Sequence, residues 1–168
     1  MIETIIELIQ RGSTILTPNR RLAATLHQIY NDYQKESERY AWQTADILPL
    51  SSWLQRLWTD YTASHLDHHP LLLTNSQEQF LWEKILTEAE ESPLLLQISQ
   101  TADLARSAWS LLKQWRVTVA HPIFETADDY LALKRWITCF EMQCRKMHWL
   151  DSASLADELE KKISESKI

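Results

Sequence analysis

The chain has one glycine, Gly12, in 168 residues. That scarcity removes whole classes of site. A backbone that closes tightly around a phosphate needs several residues free to adopt positive φ, which only glycine does without steric cost. Neither a GxxxxGK[ST] loop nor a GxGxxG turn is present, so nucleotide binding through such a loop is excluded. Tryptophan is abundant instead, with eight residues. Burying a large apolar side chain contributes roughly 1.5–3 kcal/mol, so these rings can supply much of a core. With 45% apolar and 24% charged residues the composition is that of a globular protein. The length suits one domain with a real core, or a core domain with a helical extension.

The formal net charge is −6, so the strongly basic footprint of a nucleic-acid binder is absent from the chain as a whole. Local basic patches stay open. Cys139 and Cys144 lie five apart within a helical pattern, about 140° apart around the axis, which disfavours a disulfide between them. They read as reduced thiols of a cytoplasmic protein. No apolar run approaches the ~20 residues that span a membrane. Glu3 and Glu7 stand where a signal peptide would carry positive charge.

Ile2, Ile5, Ile6 and Ile9 share one helix face, and Gly12 is a natural C-terminal stop. The segment 13–17 is short and β-branched and reads as a buried strand. Thr17 can cap the next helix with Pro18 at its first position. Leu22, Leu26, Ile29, Tyr30 and Tyr33 mark that helix to about Glu36. A second strand, 46–49, closes at Pro49. Ser51 or Ser52 is expected to cap a third helix, with Leu50, Trp53, Leu54, Leu57, Trp58 and Tyr61 on its stripe. After a polar loop from Ser64 to Pro70, Thr74 with Gln77, or Asn75 with Glu78, makes a capping-box start. Leu81, Trp82, Ile85, Leu86 and Ala89 follow. Pro93 separates this helix from one carrying Leu104, Ala105, Ala108, Trp109, Leu112 and Trp115. Pro122 breaks the chain again. Thr126 with Asp129 starts a helix bearing Tyr130, Leu133, Trp136, Ile137 and Phe140. Asp151 or Ser152 caps a last helix with Leu155, Ala156, Leu159 and Ile163, whose charged end, 161–168, is expected to fray.

The order predicts a mostly α fold with a small parallel β component: a βαβ piece followed by a helical bundle. The expected division is a partial α/β subdomain over 1–62 and a helical subdomain over 63–168. A two-stranded parallel sheet is poorly stable alone, which suggests that the chain is a fragment.

The turn Thr17-Pro18-Asn19-Arg20-Arg21 is the sharpest candidate site. It joins a strand end to a helix start, where free N–H groups and the positive end of the helix dipole favour an anion. Two arginines in the first turn oppose that dipole, and a local rule broken in this way often marks function. Arg20 and Arg21 would add charge-assisted bonds to a nucleic-acid backbone, while Thr17 and Asn19 shape the turn and donate hydrogen bonds. Alternatively, the arginines pair with acidic neighbours such as Asp46.

Other chemistry-bearing residues have plainer readings. His65, His68 and His69 with Asp67 imitate a metal cluster, but Pro70 follows at once and a solvated loop is expected; no metal or cofactor is assigned. Glu160-Lys161-Lys162 mimics half of a nuclease motif on what reads as a helix. Ser76, Ser107 and Ser110 have no histidine and acid in a nucleophile pattern. No catalytic residue is therefore assigned. Tryptophans could stack on bases, yet Trp53, Trp58, Trp82, Trp109, Trp115 and Trp136 all fall on apolar stripes. Trp42 and Trp149, near segment ends, are the open cases.

Three blocks occur in order: Thr-Ile-Leu-Thr-Pro-Asn-Arg-Arg-Leu-Ala (14–23), Ile-Leu-Pro-Leu-Ser-Ser-Trp-Leu-Gln-Arg-Leu-Trp (47–58) and Leu-Leu-Thr-Asn-Ser-Gln-Glu-Gln-Phe-Leu-Trp-Glu (72–83). Together they resemble the N-terminal region of bacterial AddB-like, RecB-family exonucleases, over roughly residues 13 to 116. The resemblance implies a helicase-like part of superfamily I, domain 1A-like in its βαβ piece, that has lost its ATPase motifs. It also implies a PD-(D/E)XK nuclease domain outside this sequence. It assigns the turn at Thr17-Pro18-Asn19-Arg20 to single-stranded DNA contact. The expected function is then a non-catalytic DNA-binding or scaffolding module of a repair or recombination exonuclease. Its expected partners are single-stranded DNA and the rest of its own chain or a nuclease or helicase subunit, with no membrane. The alternative is a helical protein-interaction module without nucleic-acid contact.

Overall fold

A computed structural model of the chain describes residues 2–37, 40–65, 68–89 and 97–165. It is mostly α-helical, with two pairs of very short parallel strands. It divides into two compact units, residues 1–65 and 66–168.

In the first unit, α1 (Ile2–Gln10) buries Ile6 and Ile9 and stops at Gly12, whose φ of 82° is the left-handed conformation that glycine adopts most easily. Strand β1 (Ile15–Thr17) runs through the crossover helix α2 (Arg20–Glu36) to the parallel strand β2 (Ile47–Pro49). The register pairs Ile15 with Ile47 and Thr17 with Pro49. Ile9, Ala23, Tyr30, Ala45 and Ile47 form the core, with Ile5, Ile15, Leu26 and Trp42 packed against it. Three expectations change here. β1 is not a buried strand, because a two-stranded sheet covers one face only and Leu16 stays 42% exposed. On α2 the buried positions are Ala23, Tyr30 and Gln34, while Leu22 and Tyr33 stand exposed. The small Ala23 lets this helix approach the strands closely, which turns the two larger residues outward. Helix α3 (Leu50–Ser64) begins directly from β2, with Pro49 in the cap position, so neither Ser51 nor Ser52 caps it. Of its apolar stripe, Trp58 is buried and Leu50 is exposed.

In the second unit, β3 (Leu71–Leu72) leads into α4 (Asn75–Glu88). Then come α5 (Ile98–Gln114), a 3-10 turn (Pro122–Glu125), α6 (Asp128–Met147), β4 (Trp149–Leu150) and α7 (Leu155–Glu165). Thr74 and Gln77 form the capping box that opens α4. Helices α4, α5 and α6 bury Leu81, Trp82, Ile85, Leu86, Ala105, Trp109, Ile137 and Phe140 in one core. The Trp82 ring stacks on Phe140 at 4.3 Å, and Trp109 meets Phe140 edge-on at 6.4 Å. Trp42 and Trp149 are half-buried.

β4 pairs in parallel with β3, Leu71 opposite Trp149. Asp151 then caps the turn into α7, accepting from the N–H groups of Ala153 and Ser154 at 3.1 Å and from Trp109 Nε1 at 3.0 Å. On α5 Ala105, Trp109 and Leu112 pack as expected, joined by Ala102, whereas Leu104 and Trp115 are 71% and 77% exposed; on α6 Tyr130 is exposed too. Neither Thr126 nor Asp129 caps α6. Its cap position is Ala127, and the Thr126 hydroxyl donates to the Ile123 carbonyl at 2.7 Å. With no glycine at hand, Arg116 (φ 52°) and His148 (φ 56°) take the left-handed positions after α5 and α6. Pro93 and Asp67 lie outside the described residues.

Candidate nucleic-acid interface

Parallel strands send both of their C-terminal ends to the same edge of the sheet. Because Thr17 lies opposite Pro49, helices α2 and α3 start side by side at that edge. Ligand sites of parallel α/β units form at this edge, where helix N-termini present free N–H groups.

Asn19, not Thr17, is the cap of α2: its Oδ1 accepts from the Leu22 N–H at 2.9 Å. Thr17 is 3% exposed, and its hydroxyl donates to the Asn19 carbonyl at 2.9 Å. Thr17 therefore shapes the turn from inside and does not offer its hydroxyl to a ligand. Pro18, Asn19, Arg20 and Arg21 are all exposed.

The first turn of α2 contains no acidic residue to offset its two arginines. Opposing the dipole costs roughly 0.3–1 kcal/mol per charge, so the local sequence works against the helix start. Asp46, the acidic partner that the sequence offered, lies at the opposite end of the strand pair, beside Thr14, and is engaged there. Arg56 donates to it in a two-pronged arrangement, Nη1 to Oδ1 at 2.9 Å and Nη2 to Oδ2 at 3.0 Å. The Thr14 hydroxyl donates to Oδ2 as well. These bonds, that from Arg56 foremost, hold the Asp46 carboxyl below its ordinary pKa. Among the described residues neither Arg20 nor Arg21 makes an ion pair.

Next to them, the start of α3 has no side-chain cap at all. Its first-turn N–H groups, those of exposed Ser51 and half-buried Ser52 included, therefore lack the capping oxygen that Asn19 gives α2. The sequence reading placed a helix start here but did not bring it to the candidate site. The signal was there: once 13–17 and 46–49 are read as parallel strands, the two helices that follow them must begin together.

The remaining chemical candidates do not converge. His65 Nδ1 bonds the Tyr61 carbonyl at 2.9 Å and its ring stacks on Tyr61, whereas His68 stacks on His148 at 4.5 Å. Among the described residues no group of three His, Cys, Asp or Glu side chains could hold a metal ion. Glu160 lies on α7 and pairs with Arg116 at 3.1 Å. No described helix is long and apolar enough to cross a membrane. No family model, curated protein or solved structure matches the chain.

Proposed function

We propose that this chain is a non-catalytic module that grips the phosphate backbone of single-stranded DNA, as part of a DNA repair or recombination nuclease. The observation that carries this reading is the pair of exposed, unpaired guanidinium groups of Arg20 and Arg21. They sit at a sheet edge where the uncapped start of α3 also offers N–H groups. Guanidinium forks suit phosphate oxygens, and helix starts add a fixed positive field. Such contacts position a strand without reading its sequence. The kinship to AddB-like, RecB-family exonucleases belongs to the same proposal.

The test is fluorescence anisotropy with a labelled single-stranded oligonucleotide over a salt series. Wild-type binding should weaken steeply as salt rises. The double variant Arg20→Ala, Arg21→Ala should bind at least about tenfold more weakly at low salt. Its salt slope should also be shallower, by about 0.7 for each phosphate no longer neutralised. Equal affinity of variant and wild type would remove the proposal.

A second reading, a protein-interaction module, draws on a different surface. Leu104, Leu111 and Trp115 recur along α5 at 71%, 54% and 77% exposure. Contiguous exposed apolar surface of this kind marks contact sites. Replacing Trp115 by Ser while oligonucleotide binding persists would separate the two.

A further inference from the structure

Helix α5 carries an apolar stripe that its own core does not use. Leu104, Ala108, Leu111 and Trp115 follow one another at intervals of four, three and four residues, the spacing of a helix–helix seam. Trp115 stands in the cap position, yet its N–H still donates to the Leu111 carbonyl at 2.9 Å, so it keeps the helical register. Leu104, Leu111 and Trp115 are exposed, whereas Ala102, Ala105 and Trp109 turn into the core. Among the described residues Trp115 is the one exposed tryptophan of the eight. Along α5 no charge borders the stripe. Its margins are Gln100, Ser107 and Gln114 on one side and Thr101 and Leu112 on the other. The three charged residues of α5 lie around the helix from it and are engaged within the chain, Asp103 with Arg106 at 3.6 Å and Lys113 with Asp157 at 2.8 Å.

A face without charge gives a partner chosen by charge nothing to read. It does suit a second copy, because the pattern is its own complement. Consider two antiparallel α5 helices related by a two-fold axis level with Trp109 and Ser110. Leu104 of one copy then meets Trp115 of the other, Ala108 meets Leu111, and symmetry repeats both contacts. The small Ala108 leaves the hole that a Leu111 knob fills. We propose that α5 pairs antiparallel with α5 of a second copy of this chain through Leu104, Ala108, Leu111 and Trp115. A seam of about three turns lies at the small end of specific interfaces, below about 1,200 Å². The dimer is therefore weak and reversible, with a Kd above about 1 μM. Each copy carries a net charge of −6, which opposes approach until salt screens it. The inference rests on the second reading above, whose partner it names, and is independent of Arg20 and Arg21.

The test is sedimentation equilibrium of the whole chain from about 1 μM to 1 mM, at low and high salt. A reversible monomer–dimer equilibrium is expected with no larger species, because a two-fold contact closes on itself. Salt should leave the dimer unchanged or tighter, since it screens like charges and breaks no ion pair across the seam. Leu111→Asp and Trp115→Ser change exposed positions. Each should weaken the dimer by about tenfold or more without lowering Tm. Complementary charges then read the register. Leu104→Glu and Trp115→Lys should each be monomeric alone and should dimerise when mixed, whereas Leu104→Glu mixed with Leu104→Lys should not. Four outcomes each overturn the proposal: a wild type still monomeric at about 1 mM; a dimer that Leu111→Asp and Trp115→Ser leave intact; a dimer loosened by salt; or mixed dimers of Leu104→Glu with Leu104→Lys, the mark of a parallel pair. Acrylamide quenching of tryptophan fluorescence separates this failure from that of the second reading. A monomer whose readily quenched component disappears in Trp115→Ser has lost only the second copy as occupant. A monomer without that component has no open α5 face, and both fall.

Discussion

The two units use one device, a short parallel strand that runs straight into a helix, and finish it differently. In residues 66–168 both junctions are sealed by side chains. The Thr74–Gln77 box closes the start of α4, and Asp151 closes the turn into α7 while also holding the Trp109 indole. In residues 1–65 one of the two junctions stays open. Asn19 caps α2 but is followed by two uncompensated arginines, and α3 starts with no side-chain cap. Charge follows the same division, with six basic against seven acidic residues in the first unit and eleven against sixteen in the second. A sealed helix start contributes to stability, whereas an open one leaves its N–H groups and field available to something else. The comparison thus fits the proposed anion contact in the first unit and a packing role for the junctions of the second.

The largest test of that division is Trp82→Ala. Trp82 is fully buried and stacked on Phe140, and truncating such a ring costs about 3–5 kcal/mol. Residues 66–168 should lose protection in amide hydrogen exchange while the amides of β1 and β2 keep theirs. Loss of protection in both units together would show that they unfold as one, and the division would lose its energetic meaning.

A medium-sized test uses pH, because Glu78 in the second unit and Asp46 in the first are shifted in opposite senses, while Glu83 of the second unit is lowered by bonds from Ser99 and Gln79. Glu78 is buried, and desolvation raises its pKa despite bonds from the Ser152 N–H at 2.6 Å and hydroxyl at 3.1 Å. The folded state then holds that proton more tightly than the unfolded one. Its contribution is fully present below the unfolded value of 4.5 and is lost as pH rises through the folded value. Asp46 is lowered, so its contribution is present above the unfolded value of 3.8 and is lost as pH falls through the folded value. Glu78→Gln should flatten the decline of the second unit above pH 4.5. Asp46→Asn should flatten the acid-side loss of the first by a smaller amount, since its side chain is 42% exposed. Exchange profiles across a pH series, or thermal melts of the variants, would read both slopes. If the two substitutions removed slopes of the same sign, the contrast between Glu78 and Asp46 would break.

How far the sequence reached depended on the range of the interactions. Helix existence and the Thr74–Gln77 box were legible, because capping and i, i+4 spacing are local. The βαβ piece was legible through its β-branched runs and the helix between them. The pair β3–β4 was not, since two-residue strands 78 positions apart carry no alternation and exist through tertiary pairing alone. On α5 the expected face holds for Ala105, Trp109 and Leu112 but not at its margin. Leu104 and Trp115 share a face by spacing, but the face that packs is chosen by small residues, Ala102 and Ala105, which let α4 come close. At the candidate site, Arg20 and Arg21 could be named from sequence. The inward turn of Thr17 and the commitment of Asp46 to Arg56 required the fold.

The smallest test concerns Arg116, and it asks whether the second unit is packed for stability throughout. At φ 52° this residue ends α5 in a left-handed conformation that costs a side-chain-bearing residue roughly 1–2 kcal/mol and glycine little. Its ion pair with Glu160, 3.1 Å long, is exposed on both sides and is worth about 0–1 kcal/mol. Glycine in turn carries more unfolded-state entropy, about 0.5–1 kcal/mol against alanine. The balance favours Arg116→Gly by a few tenths of a kcal/mol, read as a slightly raised Tm or urea midpoint with an unchanged slope. If the variant instead melts lower by more than the ion pair is worth, Arg116 holds α5 to α7 through Glu160 more firmly than an exposed pair should. The sealing of the second unit would then extend beyond its caps to its surface charges.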